Sequence, residues 1–283
     1  MRIQSAAKIN LVLNILGRRT DGYHDLQTIM QSVSLSDYLD FARADTLEVI
    51  TSAQITANIQ ENLVYRAAEI FLAKYAPDSG VRITLSKNIP LAAGLAGGST
   101  DCAGTLFGLD QFFKTELPRP ELETIANSLG SDIAYCLQGG TCLAEGRGEN
   151  LTKLPEIPKM YGIILKPPHS LSTAEVYKKC SASETLYPIK SYLSGQIDIN
   201  NLRNNIGNAL YPAALSLLPE LRDHLDALQV TQPVAAQMSG SGSAFFAFYT
   251  DIFARDTAFS LLKTKYEVYA VETIPYAQNI IKN

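Results

Sequence analysis

The chain has no excess of basic residues: 24 lysines and arginines face 28 aspartates and glutamates, a formal net charge of −4. Nucleic-acid binding needs a cationic footprint, so a nucleic-acid partner is not expected, although a nucleotide remains acceptable. Cysteine is scarce, with four residues at 102, 136, 142 and 180, no CxxC pair and no histidine at ligand spacing. That pattern disfavours zinc and suits buried, reduced thiols of a cytoplasmic protein. No apolar run approaches the ~18 residues of a membrane span. The opening MRIQSAAKIN also lacks the apolar core of a signal peptide. The expectation is a cytoplasmic protein with no membrane partner.

What is there is enough for a large core. The 283 residues are 46% hydrophobic, which accommodates two ordinary domains or one large one and argues against disorder. The stretch Pro90 to Ala103 reads PLAAGLAGGSTDCA. Ile83 and Leu85 alternate with polar neighbours before it, and Cys102, Leu106, Leu109 and Phe113 recur at helical spacing after it. A strand, a glycine loop and a helix in that order aim bare N–H groups and the positive end of a helix dipole at an anion. No lysine follows Gly98, so this is not the GxxxxGK[ST] loop, and the spacing is not GxGxxG. A glycine run that only lets a strand pack closely on a helix is the competing interpretation.

Along the chain, Ala7, Ile9, Leu11, Leu13 and Ile15 alternate with Lys8, Asn10, Val12 and Asn14, a strand presenting Lys8 and Asn10 side by side. Asp21-Gly22 marks a turn that delivers Tyr23 and His24 to a loop end. Taken singly, such residues are ordinary surface groups. Residues 33–41 and 47–55 read as strands with Asp37 and Asp45 at turns, and 61–74 as an amphipathic helix. Pro120 opens a helix that Gly130 ends. Asp132 stands where a short helix begins, as an N-cap, a carboxylate held at a cleft, or both. Prolines around 151–158 suggest a boundary. Residues 162–165 read as a strand, 173–179 as a short helix carrying Tyr177, and 183–200 as irregular. Helix over 208–228 is expected to be interrupted by Pro212 and Pro219. MSGSGS at 238–243 precedes a strand over 244–249, a helix over 252–265 and a last strand over 267–274. Strands and helices mixed without βαβ repetition imply an α+β fold.

The segments AAKINLVLNILGRRTDGYHDLQT, PLAAGLAGGSTDCAG, LGSDIAYCLQGGTCLAEGRGE and MSGSGSAFF occur in that order, and together they resemble the GHMP kinase superfamily. The likeness spans most of the chain, with little from 183–230. It implies a two-domain fold: a ribosomal protein S5 domain 2-like ATP-binding domain over 1–152 and a ferredoxin-like domain over 153–283, with the site in the cleft between them. The GRRTDGYHDLQT block resembles the branch whose substrate carries cytidine, which implies ATP-dependent phosphorylation of a cytidyl-diphospho sugar alcohol on the non-mevalonate route to isoprenoids.

Transferred position by position, the resemblance puts ATP, with its Mg2+, on Pro90, Ala92, Gly94, Leu95, Ala96, Gly97, Gly98, Ser99 and Thr100. It brings Asn62 and Lys87 towards the adenine. Lys8 would lie near the substrate hydroxyl and the γ-phosphate, Asp132 would accept or guide the hydroxyl proton, and Asn10 would orient the erythritol. Tyr23 and Tyr177 would sandwich the cytosine, His24 would bond its edge, and Thr173 and Gly240 would complete the substrate side. No metal-ligating residue is implied, and the assembly would be a monomer or weak homodimer. Ala96 stands where many members have glycine, Thr100 where serine is common and Cys102 where alanine is usual. A homoserine or mevalonate kinase, or a non-catalytic nucleotide sensor on the same fold, remains open at this point.

Overall fold

The first strand is buried along nearly its whole length because it runs through all three hydrophobic cores. The computed structural model describes residues 1–52, 56–180, 182 and 186–281. In it β1 (Arg2–Arg18) places Ile3 in the first core, Ala7, Ile9, Leu11 and Val12 in the second, and Leu13 and Ile15 in the third. Its partner β2 (His24–Ala44) runs antiparallel to it, with register shifts between Ala6 and Ala7, Asn10 and Val12, and Ile15 and Gly17. Such bulges re-aim side chains, which lets one strand serve several faces.

The chain continues through β3 (Leu47–Thr51), α1 (Leu63–Tyr75), β4 (Gly80–Ser86), α2 (Gly97–Phe113), α3 (Arg119–Leu129), α4 (Ile133–Gln138), β5 (Thr141–Gly146) and β6 (Asn150–Lys153). Beyond it come β7 (Tyr161–Lys166), α5 (Thr173–Lys179), α6 (Lys190–Leu193), β8 (Gly207–Asn208), α7 (Tyr211–Leu217), α8 (Leu221–Val230), β9 (Ala235–Met238), β10 (Phe245–Tyr249), α9 (Ile252–Leu262), β11 (Glu267–Glu272) and β12 (Gln278–Ile281). The first sheet runs β12-β1-β2-β4-β3, with β5 and β6 attached through β2 and β8 paired to β1; the second runs β11-β7-β10-β9. An isolated bridge from Val33 to Thr273 joins the two.

Helices α1 to α4 cover the first sheet around Leu39, Phe41, Phe71 and Leu106, while α7 to α9 cover the second around Phe245 and Ala247. Between the sheets, Ile29 and Val33 meet Ile164, Phe246 and Phe248. Helix α2 lies so close to β2 that a Cβ on Gly108 would fall 2.3 Å from Phe41 Cζ. Among the described residues no helix is long and apolar enough to cross a membrane.

The α+β expectation holds, and several local expectations are corrected. Asp37 is not at a turn; it lies inside β2 with its carboxylate fully buried. Pro212 does not interrupt a helix but sits in the first turn of α7, where its missing N–H costs nothing. The strand expected over 47–55 ends at Thr51, and residues 53–55 lie outside the described residues. The irregular 183–200 stretch contains the single turn α6, with 183–185 outside the described residues. The strand over 267–274 is not the last, because β12 returns to pair with β1 in the first sheet.

Candidate active site

The loop from β4 to α2 has the geometry of an anion cradle. The first backbone bond of α2 runs from Thr100 N–H to the Ala96 carbonyl at 2.8 Å, and no side chain among the described residues caps the helix. The N–H groups of Gly97, Gly98 and Ser99 are thereby left for a ligand. Ala96 takes φ +57° at the helix start, a left-handed conformation that costs a residue with a Cβ about 1–2 kcal/mol. Gly94, at φ +76°, has no such choice: a Cβ there would lie 2.2 Å from the Ser239 carbonyl oxygen. The loop therefore rests directly on the second glycine-serine loop, and Ser239 Oγ donates to the Gly94 carbonyl at 3.0 Å.

A cavity of about 380 Å³ opens over this cradle, lined by residues 90–99 together with Lys8, Asn10, Asp132 and Gly240. Lys8, 5% exposed, donates to Asn10 Oδ1 at 2.7 Å, and its Nζ stands 3.5 Å from Asp132 Oδ2. Asn10 is fixed in turn: its Nδ2 donates to Thr28 Oγ1 at 2.8 Å, and Thr28 donates to the Val12 carbonyl at 2.6 Å. Asp132 occupies the N-cap position of α4 but makes no capping hydrogen bond among the described residues; it lines the cavity, with Oδ2 towards Lys8.

A second cavity of about 530 Å³ adjoins the first and shares Leu26, Arg147, Thr173 and Tyr177 with it. Tyr23 and His24 line it. The His24 and Tyr177 rings lie 5.5 Å apart and tilted by 41°, and the Arg147 guanidinium sits 4.9 Å above the Tyr23 ring. Burial, and then the nearby Arg18 charge, lower the His24 pKa below its ordinary 6.5. Burial raises the Tyr177 phenol well above its ordinary range, so it stays neutral.

Of the residues singled out from sequence, those on the loop up to Ser99 share one cavity with Lys8, Asn10, Asp132, Thr173, Tyr177 and Gly240, and Tyr23 and His24 lie next door. Three stand elsewhere. Thr100 is fully buried and gives its hydroxyl to the Ala6 carbonyl at 2.8 Å. Asn62 caps α1, accepting from Val64 N–H at 2.9 Å. Its Nδ2 has no partner among the described residues. Lys87 lies beneath the loop, bonded to Asp37 and Asp101. Sequence reasoning missed Arg147, which lines both cavities, and the supports Thr28 and Ser239. Arg147 sits between Gly146 and Gly148, and that GRG pattern was its available signal.

The class is that of the GHMP kinases: the GHMP kinases N terminal domain model matches residues 62–140, the stretch that carries the glycine loop, α2 and Asp132. The chain is 39% identical over 254 residues to the 4-diphosphocytidyl-2-C-methyl-D-erythritol kinase of Syntrophomonas wolfei subsp. wolfei, covering 88% of this chain and 89% of that one. It is 35% identical over 280 residues to the kinase of the same name from Clostridium botulinum, covering 97% and 100%. A crystal structure of 4-(cytidine 5'-diphospho)-2C-methyl-D-erythritol kinase superposes with a TM-score of 0.86 at 30% identity, over 96% of this chain and 99% of that one. The chain belongs to the 4-diphosphocytidyl-2-C-methyl-D-erythritol kinase family.

Proposed function

We propose that the protein transfers the γ-phosphoryl group of ATP to the 2-hydroxyl of 4-diphosphocytidyl-2-C-methyl-D-erythritol, giving the 2-phosphate and ADP. The observation that carries this reading is the continuity of the two cavities: the cradle with Lys8 and Asp132 opens past Arg147, Thr173 and Tyr177 into a chamber bearing Tyr23 and His24. A phosphate chain and a flat base, joined by a short polar linker, fit that sequence of surfaces.

Phosphoryl transfer asks the protein for in-line positioning and for stabilisation of charge on the phosphoryl oxygens. The N–H groups of Gly97 to Ser99 and the Lys8 ammonium supply the second. Asp132, exposed enough to meet a hydroxyl yet beside Lys8, orients the acceptor and takes its proton as the new bond forms. Asn10, held by Thr28, fixes the erythritol. Tyr23 and Tyr177 offer faces to the cytosine, and the neutral His24 offers a ring nitrogen to its edge. Arg147, at the junction, is placed for the diphosphate, which it suits as a planar multiple donor.

Among the described residues no group of three or more acidic, histidine or cysteine side chains is gathered for a metal. Magnesium would come to this site with ATP, supplying charge neutralisation on the phosphates, with Ser99 the hydroxyl residue of the loop that lines the cavity. On this reading residues 1–152 bind ATP, 153–283 complete the substrate side, and the protein acts as a cytoplasmic monomer or weak homodimer. The test is a screen by ADP release with the cytidyl erythritol, homoserine and mevalonate as acceptors. Turnover confined to the first is expected; equal or faster turnover of either other alcohol overturns the assignment.

A further inference from the structure

Behind the phosphate cradle three charged groups are buried together. The side chains of Lys87, Asp37 and Asp101 are 5%, 0% and 2% exposed. Lys87 Nζ donates to Asp37 Oδ2 and, at 2.7 Å, to Asp101 Oδ2. Asp37 Oδ1 accepts the N–H groups of Asn88 at 2.5 Å and Ile89 at 2.8 Å. Asp101 Oδ1 has no partner among the described residues. None of the three lines the cavity.

The cluster is expensive as a stabilising device. Burying charges is repaid only by good geometry with every lone pair satisfied, and one oxygen here is not. Burial opposes the Lys87 charge, yet Asp101 and Asp37 outweigh it and raise its pKa, so the ammonium is retained. Burial, with the Asp37 charge adding to it and Lys87 opposing, also raises the Asp101 carboxyl, well above the usual carboxylate range. Asp37 is needed for its two backbone donors, but an apolar pair of similar volume in place of Lys87 and Asp101 would hold the fold about as well, which leaves the position of that pair to be explained.

That position is specific. Asp37, from β2, grips residues 88 and 89, where the chain enters the loop. Asp101, one turn into α2, stands where the chain leaves it. Lys87 bridges the two. Its Nζ would be 3.2 Å from a Cβ on Gly97, so the ammonium lies directly behind the first residue of the helix whose N–H groups form the cradle. We propose that Lys87 is a positioning residue for ATP, which ties the entry and exit of the phosphate loop together through Asp37 and Asp101 and so presets its N–H groups. The inference rests on reading the loop as the ATP-phosphate site, and it gives Lys87 no contact with the nucleotide.

The double variant Lys87→Met with Asp101→Asn tests it. It replaces the ammonium together with the carboxyl it bonds, so neither is left buried without the other, and Asp37 keeps its two backbone donors; only the tie is cut. Titration calorimetry of the full-length chain with Mg2+ and the non-hydrolysable analogue AMP-PNP reads the cradle without an acceptor. A Kd raised about tenfold is expected, with the KM for ATP rising in parallel and kcat and acceptor KM held within about twofold, because a loosened donor set weakens phosphate binding first. A folded double variant that binds AMP-PNP as tightly as wild type overturns the proposal, as does an equal loss in kcat and in both KM values. If circular dichroism shows the double variant unfolded, Asp101→Asn alone carries the test, since its amide oxygen still accepts from Lys87 through a weaker, uncharged bond. A Kd raised by roughly threefold supports the tie, and an unchanged Kd overturns it. Failure of the wild type itself to bind AMP-PNP would instead overturn the assignment of the loop to ATP.

Discussion

Gly98→Ala separates a glycine kept for a ligand from one kept for packing. Gly98 is the second residue of α2 and faces the cavity. A Cβ there meets nothing nearer than Leu63 Cδ1 at 3.8 Å, and its φ is not in the left-handed region. Packing therefore gives no reason for glycine, and alanine should stabilise the helix by about 0.5–1 kcal/mol. The new methyl would stand on the surface against which a phosphate approaches the N–H groups. A displacement of order 1 Å at that point costs about 10²-fold, or about 2.7 kcal/mol of transition-state stabilisation. Stability and activity are thus expected to move in opposite directions. Urea unfolding followed by circular dichroism reads the first, and kcat/KM for ATP by coupled ADP release reads the second. Gly108→Ala is the control: its Cβ would strike the Phe41 ring, so a loss of about 1–3 kcal/mol in stability is expected with the KM for ATP unchanged. If Gly98→Ala is stabilised and keeps wild-type kcat/KM, no phosphate lies over Gly98 and the cradle reading is wrong.

Asp132→Asn should lower kcat by about 10²–10⁴. Its melting temperature should fall only slightly, because Asp132 makes no capping bond among the described residues and its carboxylate, paired with Lys8, is half-exposed; a wild-type rate in this variant removes Asp132 from the chemistry. Tyr177→Ala should weaken the cytidyl acceptor by about 1–3 kcal/mol, read as its KM, while the KM for ATP stays put. The folded-state pKa of His24 is lowered, so its stabilising contribution is complete above the ordinary value of 6.5 and is lost as pH falls through the lower folded value. Acceptor KM measured between roughly pH 5 and pH 8 should therefore rise on the acid side. A flat profile would show that the neutral imidazole is not required.

Much of the candidate site was legible through the family resemblance, with local pattern in support: the alternation of β1 puts Lys8 and Asn10 side by side, the glycines stand between a strand and a helix, and Asp132 stands before α4. The supports were not legible, because nothing local marks them. Thr28 and Ser239, which hold Asn10, are 18 and 229 positions away in the chain. Asp37 misled for the same reason: an aspartate between short apolar runs has turn chemistry, but here its donors come from residues 51 and 52 positions further on. Strand β12 is only four residues long, too short for its alternation to stand out.

That short strand has a consequence for how the molecule comes into being. Gln278, its first residue, accepts a hydrogen bond from Ser5 and donates to the carbonyls of Thr100 and Cys136. It thereby joins β1, the helix behind the cradle and α4, all made early in synthesis, to a segment made after everything between. A nascent chain halted before residue 278 should hold the first sheet with an open edge beside β1 and α4 with the Cys136 carbonyl unanswered. The glycine-loop end of the molecule is then assembled first but sealed last, so a ribosome-bound chain lacking β12 should be more readily cut by protease than the released protein.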